Sequence, residues 1–223
     1  MAGRLVMGGA GCHHAPMIDH INFPLILGAA LLAVASPGPS TLAIAGTAMA
    51  HGRAQALALV AGIVTGSWTW SIAAALGLSA LMLAHAWVFE VLRYLGAGYL
   101  LYLGWKSARS ALSSTPLRLR SVTSRDHRSA FGKGLAMHLT NPKAILFFGA
   151  LYSVGVPADA TPAEIASVVV AVGIQSMAVF ATYALVFSNP RVVVLYMRLR
   201  RWFEGAFALA FGFAGLKLLT TRI

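Results

Sequence analysis

Three long stretches of this chain carry no Asp, Glu, Lys or Arg: between Asp19 and Arg53, between Arg53 and Glu90, and between Glu164 and Arg191. Each exceeds the ~20 residues with which an α-helix crosses ~30 Å of hydrocarbon. Backbone polar groups cannot go unpaired in lipid, so runs of this kind fold as spanning helices. Composition agrees, because 58% hydrophobic residues against 10% charged is more apolar surface than a soluble domain of 223 residues can bury. The fold class expected is an all-α integral membrane protein, with the lipid bilayer as its first partner.

The formal net charge of +11 would suit a nucleic-acid binder, but the basic residues lie between the apolar runs and form no stripe on a folded domain. No nucleic-acid partner is expected. Cys12 is the only cysteine, which excludes an internal disulfide and dithiol chemistry, and the seven histidines are not set at metal-ligand spacing. Neither a metal nor a cofactor is expected. Nor is an enzyme, since no carboxylate pair lies deep in the apolar runs and no serine sits in a nucleophile motif with a partnered histidine.

Residues 1–21 contain Met7, Met17 and the paired His13 and His14, without the apolar core of a signal peptide. They are expected to be a disordered tail, or a start-site artefact with translation beginning at Met17; the sequence leaves both open.

Residues 22–223 accommodate six spans. The first, 22–50, is interrupted at 36–40, and the second covers 54–83. The third begins near Trp87, with Glu90 and Arg93 spaced to pair in its outer turns. The fourth, 131–156, is interrupted at Asn141 and Pro142, and the fifth covers 165–188. The sixth starts near Trp202 and reaches Thr221, with Lys217 snorkelling toward the headgroups.

Lys and Arg are retained on the cytoplasmic side, which fixes orientation. The loop between spans three and four carries Lys106, Arg109, Arg118, Arg120, Arg125, Arg128 and Lys133 against a single Asp126. It is expected inside, together with the His51-Gly52-Arg53 turn and the loop bearing Arg191, Arg198, Arg200 and Arg201. The 157–164 loop has Asp159 and Glu164 and no base, so it is expected outside, as are both termini.

Cutting the chain in the basic loop exposes a repeat. Repeat one spans 22–110, the cytoplasmic loop 106–130 and repeat two 131–223, and the first span of each half is broken by proline. Twelve uncharged residues separate Arg93 from Lys106, and twelve separate Glu204 from Lys217. Three spans is an odd number, so the halves insert in opposite orientation. The pattern expected is a 3+3 inverted repeat with broken first and fourth helices, in which the breaks mark the binding site of a secondary transporter.

Pro37, Gly38 and Pro39 should open span one for at least a turn, because proline donates no backbone hydrogen bond and obstructs the carbonyl one turn back. Open backbone at membrane depth is tolerated where it is buried or lines a wet cavity. The freed groups, with the hydroxyls of Ser36, Ser40 and Thr41, are therefore candidates to hold a small polar solute; the alternative is a kink satisfied by those hydroxyls alone. In span four Thr140, Asn141, Pro142 and Lys143 form the counterpart, and an ammonium as deep as that of Lys143 costs at least ~3 kcal/mol unless it is paired or hydrated. His138, one turn earlier, is a candidate proton relay or a helix-to-helix hydrogen bond. Trp68, Trp70, Gln175 and Tyr183 can line a pathway or pack, and Gly62 with Gly66 can serve a close contact within one bundle or a dimer. Glu90 and Glu204 fall at span ends, leaving no deep carboxylate to hold a cationic side chain, so neutral or zwitterionic substrates are expected over lysine or arginine.

These segments together resemble the LysE/RhtB family of amino-acid exporters. The residues that carry the resemblance are Pro37-Gly38-Pro39 with Leu42; the run from Gly96 to Gly104 followed by Lys106 and Arg109; Phe131 through Gly134 leading to Asn141-Pro142-Lys143-Ala144; and Gly205, Gly212 and Gly215. The resemblance covers nearly everything after residue 21. It implies a multi-pass protein of the bacterial inner membrane, a six-helix inverted repeat that exports amino acids or related metabolites by alternating access, driven by the proton-motive force with H+ as coupling ion. Ser40 departs from the Asp or Asn that members often carry after proline-glycine-proline. Other readings are a permease for other small solutes or metal ions, disfavoured by the lack of carboxylates within the spans, and a non-transporting scaffold, which would gain nothing from two opened helices. Homo-oligomerisation is left open.

Overall fold

The computed structural model describes residues 21–84, 86–113, 121–124, 126–157 and 160–220, with the side chains at 78–90, 92, 93 and 154 outside that description. The expectations for the tail apart from Ile21, for a start at Met17, for the Glu90–Arg93 pair, and for Arg118, Arg120, Arg125 and Asp159 lie outside it too. Among the described residues there are seven helices and no strand: α1 (Phe23–Ala35), α2 (Pro39–Ala84), α3 (Ala86–Leu112), α4 (His127–Leu139), α5 (Pro142–Gly155), α6 (Pro162–Val186) and α7 (Pro190–Thr220). Three stretches are long and apolar enough to cross a membrane, Pro39–Gly77 within α2, Pro162–Val186 and Pro190–Thr220, and α1 is a shorter apolar helix.

Local chemistry explains where the helices begin. Asn22, Asn141 and Asn189 each turn a side-chain oxygen onto a backbone N–H of the following turn, those of Leu25, Lys143 and Arg191. Proline in the first turn of α1 and α5 removes an amide that would have no intrahelical acceptor, so it starts a helix at no cost. Asp126 caps α4 through Ser129 N, and Thr161 with Glu164 forms a capping box on α6. Within α2 the chain swings through φ +81° at Gly52, a left-handed conformation that side chains resist, so 39–51 and 53–84 are two rods joined at a glycine corner.

The sixth span requires a correction. Its helix begins at Pro190, well before Trp202, because basic residues do not end a helix and Asn189-Pro190 is a start signal like Asn141-Pro142. Glu204 therefore stands near the middle of α7 rather than at its end, and it is buried.

Two apolar clusters organise the bundle. One joins Ile26, Ala30 and Ala33 of α1 to Phe147, Phe148, Leu151 and Tyr152 of α5 and Val168 and Val172 of α6. The other joins Ala43 to Ala48, Leu59 to Ile63, Phe180, Ala184, Phe187 and Val193, with Val122 and Tyr196 against it. Residues 43–63 of α2 belong to the second cluster and Ala75 to the first, whereas α6 passes from the first at Val168 to the second at Ala184, so the two helices run oppositely. Gln55 Nε2 donates to the carbonyls of Ser124 and Asp126, at 3.4 and 3.2 Å, which brings the Gly52 corner and the end of the basic loop to the same side.

The tightest seams are backbone on backbone. A Cβ placed at Gly62 would be driven into the carbonyl of Phe131 in α4, and one at Gly134 into the carbonyl of Leu59 in α2. The Gly62/Gly66 pair thus serves contacts inside this bundle, Gly66 lying against His138. Gly104 of α3 meets the backbone of Ala208 and Gly212 in α7, and Gly215 meets Leu101.

Candidate functional site

The two proline breaks, about a hundred residues apart in sequence, touch each other. Lys143, in the first turn of α5, donates from Nζ to the Ser36 carbonyl at 3.2 Å and to its hydroxyl. Ser40, in the first turn of α2, lies 3.2 Å from His138 Nδ1 and accepts from Asn141 Nδ2 at 3.4 Å. Gly38 has no side chain where Lys143 passes: a Cβ there would lie 3.3 Å from Nζ. The N-termini of α2 and α5, each opened by proline, therefore converge, and helix N-termini favour anionic groups.

Much of the backbone freed by the prolines is already satisfied by the protein. Ala33 O, which Pro37 cannot serve, accepts from Ser36 Oγ at 3.0 Å. Ala35 O, which Pro39 cannot serve, accepts from Tyr183 OH at 2.7 Å. Thr41 Oγ1 accepts from Gly38 N at 2.8 Å and donates to Gly38 O at 3.1 Å. Gln175 donates to Leu27 O of α1 at 2.9 Å, and Trp68 packs over Gly173, so these polar and aromatic residues of the spans hold helices together.

Ser36, Ser40, Thr41, His138 and Asn141 are buried, and Lys143 is half-buried. Thr140 is placed apart: its side chain is exposed and its hydroxyl donates to Ala136 O of its own helix at 2.8 Å. His138 Nε2 is buried without a hydrogen-bond partner. It borders a cavity of about 40 Å³ whose lining mixes Ser36, Ser40, Asn141 and Lys143 with Phe147, Phe148 and Phe180.

Beside the breaks lies a far larger cavity of about 980 Å³. One wall is 36–39 with Asn141, Pro142 and Lys143; another is α3, through Tyr99, Tyr102, Lys106 and Ser110; α7 adds Glu204 and Phe211. Ser121, Val122, Thr123 and Lys133 place its far end beside the basic loop. On the other side of the breaks, Ala33, Phe147 and Phe148 belong to the first apolar cluster. Three lysines and one glutamate line the large cavity, so it carries an excess of positive charge.

Glu204, Lys106, Tyr99 and Tyr102 line the large cavity, although sequence reasoning proposed none of them as a site residue. The available signal for Glu204 was its spacing from Arg200, one helical turn apart, which marks a continuing helix rather than a loop end.

The family described as LysE type translocator matches residues 31–222. The chain is 29% identical over 194 residues to the threonine efflux protein of Salmonella typhi, covering 86% of this chain and 94% of that protein. It is 30% identical over 182 residues to the leucine efflux protein of Klebsiella pneumoniae, covering 81% and 84%. With the homoserine/homoserine lactone efflux protein of Salmonella typhimurium it shares 33% over 130 residues, covering 58% and 62%. No solved structure matches.

Proposed function

The chain belongs to the LysE type translocator family, and from that premise we propose that it exports neutral or zwitterionic amino acids, or related small metabolites, from the cytoplasm. As a member it is a transporter, not an enzyme, and a multi-pass protein of the bacterial inner membrane. Threonine and leucine, the solutes named for its relatives, are the first compounds to try.

The observation that carries the reading is the meeting of the two proline breaks at the wall of a cavity of about 980 Å³ into which Lys106, Lys143 and Glu204 bring charge. That volume lies within the usual range for small-molecule sites and leaves room for water around an amino acid. In our reading Ser36, Pro37, Gly38, Pro39, Ser40, Thr41, Asn141, Pro142 and Lys143 form the solute site, with the Lys143 ammonium facing the substrate carboxylate. Thr140 keeps only a capping role, because its hydroxyl is turned to its own helix. The excess of lysine disfavours a substrate with a second positive charge.

The six-span inverted repeat is supported by how the halves pack: 53–84 lies against α4 as α6 lies against α1, and the third helix of each half, α3 and α7, pair with each other. In this arrangement the Gly52 corner, the basic loop and the 187–189 connection share the cytoplasmic side, and the large cavity opens toward it while the α1–α5–α6 cluster closes the outer side. The protein then stands in an inward-facing state of an alternating-access cycle. His138, with its Nε2 unpartnered beside the small cavity that Lys143 also lines, is the proposed carrier of the coupling proton.

Proteoliposomes loaded with radiolabelled threonine, leucine, lysine and arginine test the reading, with an imposed pH gradient of either sign. Export of the neutral compounds, accelerated by a proton gradient directed inward with respect to export, is expected. Efflux no faster than from empty liposomes overturns it, and loss of gradient dependence in His138→Gln with exchange retained is the expected mark of the relay.

A further inference from the structure

Glu204 is the only carboxylate among the described residues that line the large cavity, and it faces a space shared with Lys106 and Lys143. It is 3% exposed. Taking an ionised carboxylate out of water is expensive unless its lone pairs find donors. One donor is in place: Ser110 Oγ donates to Glu204 Oε1 at 2.9 Å. The direction of that bond is fixed, because Arg200 Nη2 donates to the same hydroxyl at 2.9 Å and a guanidinium can only donate. Ser110 thus spends its proton on Glu204 and holds the carboxylate as an acceptor. A carboxylate offers roughly four acceptor sites, so this one retains capacity for a cationic donor.

A zwitterionic solute brings both charges into the cavity. The breaks and Lys143 answer its carboxylate, and nothing in them can accept from an ammonium as a carboxylate does. Resting on the export reading above, we propose that Glu204 receives the α-ammonium of the exported amino acid, so that Lys143 and Glu204 recognise the two ends of a zwitterion across the cavity. Ser110 and Arg200 act as positioning residues, keeping the carboxylate turned for that contact. A site built to accept from an N–H discriminates against an analogue that lacks it far more strongly than an apolar pocket discriminates by size. The cavity should therefore prefer free amino acids to hydroxy acids of the same shape.

The test compares wild type, Glu204→Gln and Ser110→Ala in proteoliposomes, measuring exchange KM and kcat for threonine or leucine, whichever wild type carries faster, and for its hydroxy-acid analogue, in which a hydroxyl replaces the ammonium. Glutamine keeps the size and an oxygen for Ser110 but not the charge. In Glu204→Gln, the KM for the amino acid should rise about tenfold or more while that for the hydroxy acid stays within about twofold, erasing the wild-type preference. Ser110→Ala should shift the ratio in the same direction by less, and it carries the test if the glutamine variant yields no folded protein. An equal loss for both compounds in either variant would make Glu204 a structural residue, and unchanged kinetics would remove it from the site; both overturn the proposal while leaving export intact. A wild-type protein that moves neither compound would overturn the export reading itself.

Discussion

Lys143 reaches across both helix breaks to Ser36, giving its ammonium to the carbonyl oxygen at 3.2 Å and to the hydroxyl. An ammonium so placed replaces part of its lost hydration with protein oxygens and keeps one of its three N–H donors for a solute. Lys143→Ala should therefore raise the KM for carboxylate-bearing substrates by about tenfold, and that for their amide analogues by much less. Paired efflux assays on an amino acid and its amide read the difference; equal effects would mean that the lysine only fastens the breaks together.

The Pro39 break makes a sharper prediction through Tyr183, whose hydroxyl occupies the Ala35 carbonyl that a residue with an N–H at 39 would otherwise serve. Tyr183→Phe alone leaves a buried carbonyl unpaired, at about 1–3 kcal/mol. Pro39→Ala restores the donor, closes the opened turn, and should abolish most efflux with insertion unchanged. Combining the two should cost less stability than Tyr183→Phe added to Pro39→Ala, because one donor substitutes for the other. Thermal unfolding in detergent supplies the cycle.

Much of this was legible in the chain and some was not. Proline is a backbone event, so the breaks at Pro37-Gly38-Pro39 and Asn141-Pro142 could be located without knowing any contact. Which hydroxyls face the solute depends on helix rotation, and for that reason Thr140 read like Asn141 in the sequence yet turns outward. Glu204 was misjudged because hydropathy ends a span where charges begin, whereas a helix continues through Arg198, Arg200 and Arg201 once Asn189 and Pro190 have started it. That residue was also the basis for expecting no buried acid. The preference against cationic solutes consequently rests on the three lysines facing it and no longer on the absence of a carboxylate.

Sidedness follows from the connections. With Cys12 replaced by serine, a cysteine at Ala160 should react with an impermeant thiol reagent added outside intact cells. One at Thr123, beside the mouth of the large cavity, should react only after permeabilisation. The reverse pattern would overturn the six-span arrangement.

The glycine seam between α2 and α4 predicts an asymmetry among alanine substitutions. Gly62→Ala and Gly134→Ala push a methyl into opposing backbone and should each destabilise by about 1–3 kcal/mol, enough to lower the yield of folded protein. Gly98→Ala, with nothing within 4 Å of the added carbon, should be neutral or slightly stabilising. Melting temperatures of the three variants in one detergent decide the matter.

Those seams also bear on how the molecule can move. Backbone fitted to backbone at Gly62 and Gly134 leaves no side chain to swing aside, and the same holds where Gly104 meets Ala208 and Gly212. The pairs α2 with α4 and α3 with α7 are thereby each held at a backbone-to-backbone seam. The large cavity lies between them, with Tyr99, Tyr102 and Lys106 of α3 and Glu204 of α7 on one face and Leu42 of α2 and Met137 of α4 on the other, while Lys143 enters from α5, a helix that packs on α3 where Gly96 meets Ala150. In the proposed transport cycle, narrowing that gap around a solute is a rocking of one helix pair on the other, with α5 as the element that carries the Lys143 charge between them.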